Sequence, residues 1–189
     1  MRHKYETRGI VLSRSPVGEK SVFVTVLTSE LGLVRALAQG VRASGAKLAP
    51  ALATFADSSL VLVRGKEGWR VAGSVLEENW FVRMPRAEDR ARAARVSNLF
   101  LRLVAGEERD TGLFPIIRGF FEALASLPEP EHDAAEVLAV LRALSALGLD
   151  TGGFPSGEPA FASPLLAEIS RDRLAYVARI NRGIAASGL

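Results

Sequence analysis

The apolar residues of this chain change their period once, near Pro85, and no other feature limits the fold as much. Before that point they cluster in short β-branched and aromatic segments: Ile10 and Leu12; Val22, Val24 and Val26; Leu33, Val34 and Leu37; Leu60 to Val63; Trp69, Val71 and Val75. Turn signals separate them at Pro16-Val17-Gly18, Glu30-Leu31-Gly32, Ser44-Gly45 and Gly65-Lys66-Glu67-Gly68. After Pro85, Val96, Leu99, Phe100, Leu103 and Val104 recur at i, i+3, i+4, i+7, i+8, the spacing that lines one helix face. Phe114, Ile117, Phe121 and Leu124 repeat it, as do Val137, Leu138, Leu141 and Leu144, and then Leu166, Ile169, Leu174, Val177, Ile180 and Ile184. Gly106, Pro128 with Pro130, and the run from Asp150 to Gly157 punctuate these helices.

The first three strands are predicted over about 7–13, 20–28 and 33–39. Five short strands in about 75 residues, with long second and third connections, predict a small closed barrel of the OB type. The class is α+β: a five-stranded OB-type barrel over 1–80, then an α-helical bundle over 81–189. The sequence shows no internal repeat.

Charge divides along the same line. Residues 1–76 hold 11 Lys+Arg against 5 Asp+Glu, a net +6; residues 77–189 hold 13 against 16, a net −3. A local positive field attracts a phosphate backbone even on a protein whose total is only +3. Twenty of the 24 basic residues are arginine, whose planar fork suits bidentate phosphate contacts. A solvated, charge-decorated sheet would show the same counts, so charge alone does not decide.

Other classes of function find little support. There is no run of about 18 apolar residues to span a bilayer, and MRHKYETRG lacks an apolar leader core, so a soluble, cytoplasmic, nucleoid-associated protein is expected. Zero cysteines remove disulfides and thiolate zinc sites, and His3 and His132 are far apart, so neither a metal nor another cofactor is expected. Gly18-Glu19-Lys20-Ser21 lacks the glycines that a phosphate loop needs before its lysine. Ser44-Gly45-Ala46-Lys47 has the serine/lysine nucleophile spacing but no SDN or KTG partner, and is read as a mobile basic loop. Glu88-Asp89 suits a helix start, Glu77-Glu78 a domain junction, and His132 a helix-start or surface position. No acid/base dyad is visible, and the chain is expected not to be an enzyme.

Binding has better candidates. Arg14 and Lys20 flank the first connection, Arg35 takes an outward position on the third strand, and Arg42 and Lys47 bracket a Gly/Ser/Ala loop. Arg64, Lys66 and Arg70 frame the last hairpin. OB barrels hold nucleic acid across strands two and three and the adjoining loops, where the first five are expected to form one surface. Stacking groups are few in 1–76: Tyr5, Phe23, Phe55 and Trp69, of which only Phe23 is placed to face outward. Backbone electrostatics are therefore expected to dominate, with a steep salt dependence and little sequence preference.

In order, GIVL, GEKS, VTVLTSELGLVRALAQGVR, a small/basic loop, LAPALATF and, further on, EENW make this chain resemble the RecO family of bacterial recombination mediators. The resemblance implies an N-terminal OB domain and a helical C-terminal domain. It implies binding of single- and double-stranded DNA, and annealing of strands coated with single-strand-binding protein. A RecR-like partner with which it loads the recombinase is implied too, and neither nuclease nor ATPase activity. Many members carry a four-cysteine zinc module in the helical part. Here the equivalent stretch, TGGFPSGEPAF, has no cysteine, and INRGIAASGL looks like the last helix of shortened, zinc-free members. The family's helical domain also binds the acidic-hydrophobic tail of single-strand-binding protein. Arg95, Arg102, Arg118 and Arg142, with Leu and Phe neighbours, are the candidate rim for it. The alternative reading is thus an interaction module that recognises such a tail without annealing DNA itself.

Overall fold

The computed structural model describes residues 3–104, 112–150, 152 and 161–188. Gly106 and most of the Gly/Pro-rich run, residues 151 and 153–160, lie outside the described residues. The chain divides into two compact units, one running to Arg83 and one holding residues 84–103 and the helices from Leu113 onward.

The first unit is a closed five-stranded barrel, in the order β1-β2-β3-β5-β4 and back to β1. Its strands are β1 (Lys4–Val17), β2 (Ser21–Thr28), β3 (Leu33–Ala38), β4 (Ala56–Gly65) and β5 (Gly68–Asn79). All neighbours are antiparallel except β3 and β5, which meet in a short parallel stretch, Ala36 opposite Trp69 and Leu37 opposite Arg70. This is OB topology. β1 closes the ring because it is long enough to serve two partners, pairing with β4 through residues 4–10 and with β2 through residues 9–17. Gly9 sits where these pairings overlap. A Cβ there would lie 2.5 Å from Val26 Cγ1, so only glycine lets the two strands approach this closely.

The alternating apolar residues of these strands fill the barrel: Val11, Val22, Val24, Val26, Val34, Ala36, Leu60, Leu62 and Trp69, joined by Val41 and Leu52 from the β3–β4 connection. Phe55 is buried as well, in the left-handed region at φ 64°. One helical turn, α1 (Trp80–Arg83), ends the unit.

The second unit is helical: α2 (Ala87–Leu103), α3 (Leu113–Ser126), α4 (His132–Ala146), α5 (Ser163–Arg171) and α6 (Arg173–Ala186). α4 is central and touches the other four. Ten of its 15 residues are buried, and its alanines let neighbours come close on every side. α6 is its opposite, with Gly183 alone buried, where a Cβ would meet Leu144 Cδ1 and Leu149 O at 3.0 Å. Phe100, Ile117, Phe120, Phe121, Leu138, Leu141, Leu166 and Ile169 form the rest of the core. No helix among the described residues is long and apolar enough to cross a membrane.

His132 takes the first of the two positions the sequence offered, the helix start. It opens α4 and is 4% exposed rather than a surface residue. Its Nδ1 lies 2.7 Å from Asp89 Oδ1 and its Nε2 2.9 Å from Leu127 O. Asp89, expected simply to favour a helix start, is also buried and ties α2 to α4. Both groups are spent on packing the bundle.

Candidate nucleic-acid interface

The barrel's outward residues follow from register, because side chains of paired residues point to the same side. Val24 and Ala36, paired with each other, are fully buried in the core. The rows on either side of them therefore face out. One row reads Ser15, Phe23, Leu37, Arg70, and the next reads Ser13, Thr25, Arg35. Arg35 is exposed and lays its guanidinium 4.3 Å from the centroid of the half-buried Phe23 ring. That is cation–π distance, and it joins a charge and an aromatic on the β2–β3 face.

Arg42 and Lys47 stand on the loop that leaves β3. Val41 anchors this loop in the barrel core. Arg42 then latches it to the β1–β2 turn: its backbone N donates to Lys20 O and its Nη1 to Gly18 O, both at 3.0 Å. Gly40 and Gly45 supply the positive φ angles, 71° and 73°, that this compact path demands. Lys20, Arg42 and Lys47 are all exposed.

Arg14 does not join them on the β2–β3 face. It pairs with Val24, so the register places it on the side opposite Phe23 and Arg35. The cause is a bulge between Val11 and Ser13, which exchanges the two sides of β1. Arg64, Lys66 and Arg70 line a cleft of about 680 Å³ at the β4–β5 hairpin with His3, Tyr5, Val63, Gly65 and Glu67. Trp69 closes the core beneath it, edge-on to Tyr5 at 5.0 Å, with the Arg64 guanidinium 5.2 Å from its ring.

What these cations touch matters as much as where they are. Arg14, Lys20, Arg35, Arg42, Lys47 and Lys66 have no carboxylate partner among the described residues, and Arg70 has one long contact, 3.4 Å to Glu67. Arg8 is different, and pattern reading gave no sign of it. Its Nε and Nη2 donate to the two oxygens of the fully buried Asp57 at 2.7 and 2.9 Å. It neutralises a charge inside the barrel wall and belongs to the fold.

In the helical unit the arginines are mostly engaged. Arg95 grips Glu136 with two bonds, 2.7 and 2.8 Å, and Arg92 reaches the same carboxylate at 2.7 Å. Arg86, Arg173 and Arg179 also have acidic partners. Of the four rim candidates, Arg102 is exposed near the end of α2 and Arg95 is held as described. Arg118 and Arg142 are half-buried. Burial pushes the Arg142 guanidinium below its ordinary value, and it lies 5.1 Å from the centroid of Phe161.

Comparison with known proteins adds to this geometry. Residues 1–72 match the family described as Recombination protein O N terminal. A DNA repair protein RecO from Dehalococcoides mccartyi is 27% identical over 129 residues, which is 68% of this chain and 51% of the relative. Those of Gloeobacter violaceus and Acaryochloris marina are 42% identical over 62 residues and 38% over 80, covering 24% and 27% of their own lengths. The stretch matched is thus about half of the first relative's length and about a quarter of the others'.

Proposed function

We propose, on the premise that this chain belongs to the RecO family, that its barrel holds single- and double-stranded DNA by the phosphate backbone in recombinational repair. One observation supports the reading above all: six barrel cations have no carboxylate partner among the described residues, on a fold whose β2–β3 face and loops suit nucleic acid. Arg35, Lys20, Arg42 and Lys47 make the main contact, with Arg64, Lys66 and Arg70 continuing it at the hairpin; Arg14, exposed but off the β2–β3 face, adds to the positive field without a place on that path.

The chemistry is binding without bond breaking. Each cation that meets a phosphate releases a condensed counterion, so affinity falls steeply as salt rises. Neutralising two backbones also lets complementary strands approach, and a grip on phosphates leaves the bases able to find their partners. The protein acts as a mediator and annealing factor with a RecR-like partner and single-strand-binding protein, not as an enzyme. Titration of labelled single-stranded and duplex oligonucleotides at about 50 and 200 mM salt tests this. An affinity lower by about 10²-fold or more at the higher salt is expected from four or more phosphate contacts. Binding that ignores salt overturns it.

A second contact is favoured by Arg142. A guanidinium disfavoured by burial and seated against Phe161 gains from an incoming carboxylate beside an apolar side chain, the chemistry of an acidic-hydrophobic protein tail. Arg142→Ala is expected to weaken binding of the tail peptide of single-strand-binding protein and leave oligonucleotide affinity unchanged.

A further inference from the structure

We propose that Phe23 and Arg35 together form a seat for one unpaired nucleobase, so that the barrel distinguishes a single strand by its bases as well as by its charge. The inference rests on the DNA reading above and goes beyond it, since a phosphate grip alone treats any polyanion of equal charge alike.

Three observations carry it. Phe23 faces outward between Val22 and Val24, which are 2% and 0% exposed and fill the barrel, whereas its own ring is only half covered. An aromatic at that position contributes little to the core that a leucine would not. Its neighbours in the row are the exposed, small Ser15 on one side and, on the other, the half-buried Leu37, an apolar side chain followed by Arg70. Arg35 lays a second planar group over the ring, 4.3 Å from its centroid, which is too close for a base to enter between them. A base stacks on the outer side of the guanidinium or takes its place on the ring, and no carboxylate among the described residues draws Arg35 away. Every base has a π-face, so an aromatic ring and a guanidinium plane accept any of the four with little sequence preference. Bases in a duplex are already stacked on one another and present only their edges, so the seat serves unpaired DNA alone. Arg70, one strand beyond Leu37, and Arg42, on the loop leaving β3, are the cations that would carry the phosphates on either side.

The test uses two labelled single strands of equal length and charge, one bearing its bases and one with abasic sites throughout, and a duplex of the same length, which carries twice the phosphates, as the paired form. Wild-type protein is expected to bind the base-bearing strand about five-fold or more tightly than the abasic one. Phe23→Leu keeps apolar volume at the position, and a thermal midpoint checks that it folds. It is expected to abolish that preference while leaving abasic-strand and duplex affinities unchanged. Arg35→Lys retains the charge but not the plane and is expected to reduce the preference. Equal wild-type affinity for base-bearing and abasic strands, or a preference that survives in Phe23→Leu, overturns the seat while the phosphate grip stands. Wild-type protein that binds none of the three overturns the DNA reading as well.

Discussion

The two units spend the same residue type differently. In the barrel unit most cations are exposed and have no carboxylate partner among the described residues; Arg70 with Glu67, Arg83 with Glu78 and the buried pair of Arg8 with Asp57 are exceptions. In the helical unit Arg86, Arg92, Arg95, Arg173 and Arg179 bridge α2, α4, α6 and the segments beside them. Net charge conceals this, because an arginine bound to glutamate and one facing water count alike. A cation already held by a carboxylate must break that contact before it can bind phosphate, whereas one in water gives up only counterions. The difference separates five helical arginines that serve as internal ties from the larger set of barrel cations that face water; Arg102, Arg171 and Arg182 are exposed helical arginines of the second kind among the described residues.

Variants can break this comparison. The largest effect is expected at the buried pair: Arg8→Ala removes the guanidinium that neutralises the fully buried Asp57, and should cost about 3–5 kcal/mol of barrel stability by chemical denaturation. A variant as stable as wild type would show that Asp57 does not depend on Arg8. Next, Gly9→Ala drives a Cβ into Val26 and is expected to cost about 1–3 kcal/mol. Glu136→Gln releases Arg95, leaves Arg92 its longer contacts with Glu88 and Asp133 at 3.3 and 3.6 Å, and should cost about 1 kcal/mol, with no loss of DNA affinity. Affinity that rose after this change would mean that Arg95, once released, also finds phosphate.

The smallest effect concerns acid. Arg173 and Arg179 hold the Asp133 and Asp150 carboxyls below their ordinary value through direct hydrogen bonds. A carboxylate depressed in the fold stabilises fully above its unfolded value, near pH ~4, and loses that contribution as pH falls through the folded value. The thermal midpoint of wild type should therefore drop on acidification from about pH 5 to 3 by more than that of Arg173→Gln/Arg179→Gln.

Much of the fold was legible because it follows from local periods. Alternation in β2 and β3 marked inward valines and outward Phe23 and Arg35, and the i, i+3, i+4 spacing marked the helices. What escaped depends on pairings remote in sequence. Arg8 and Asp57 are 49 residues apart, His132 and Asp89 43, Arg95 and Glu136 41, and no local pattern links them. Arg14 escaped for another reason. The bulge after Val11 swaps the faces of β1, and one extra residue in a strand leaves the alternation that follows it looking normal. The cations were therefore recognisable as a set, but which of them are free became visible with the contacts.

The central claim is that free barrel cations bind DNA while engaged helical ones hold the fold. Two double variants measured side by side test it: Arg42→Ala/Lys47→Ala and Arg92→Ala/Arg95→Ala, each followed by thermal midpoint and by the salt dependence of single-strand affinity. The barrel pair loses the exposed bond from Arg42 to Gly18 O, so it should cost no more than about 1 kcal/mol of stability, and it should flatten the log–log salt slope by about 1.4, two phosphate contacts' worth on a single strand. The helical pair should lower the midpoint and leave the slope unchanged. A barrel pair with an unaltered slope, or a helical pair that flattens it, would contradict the account.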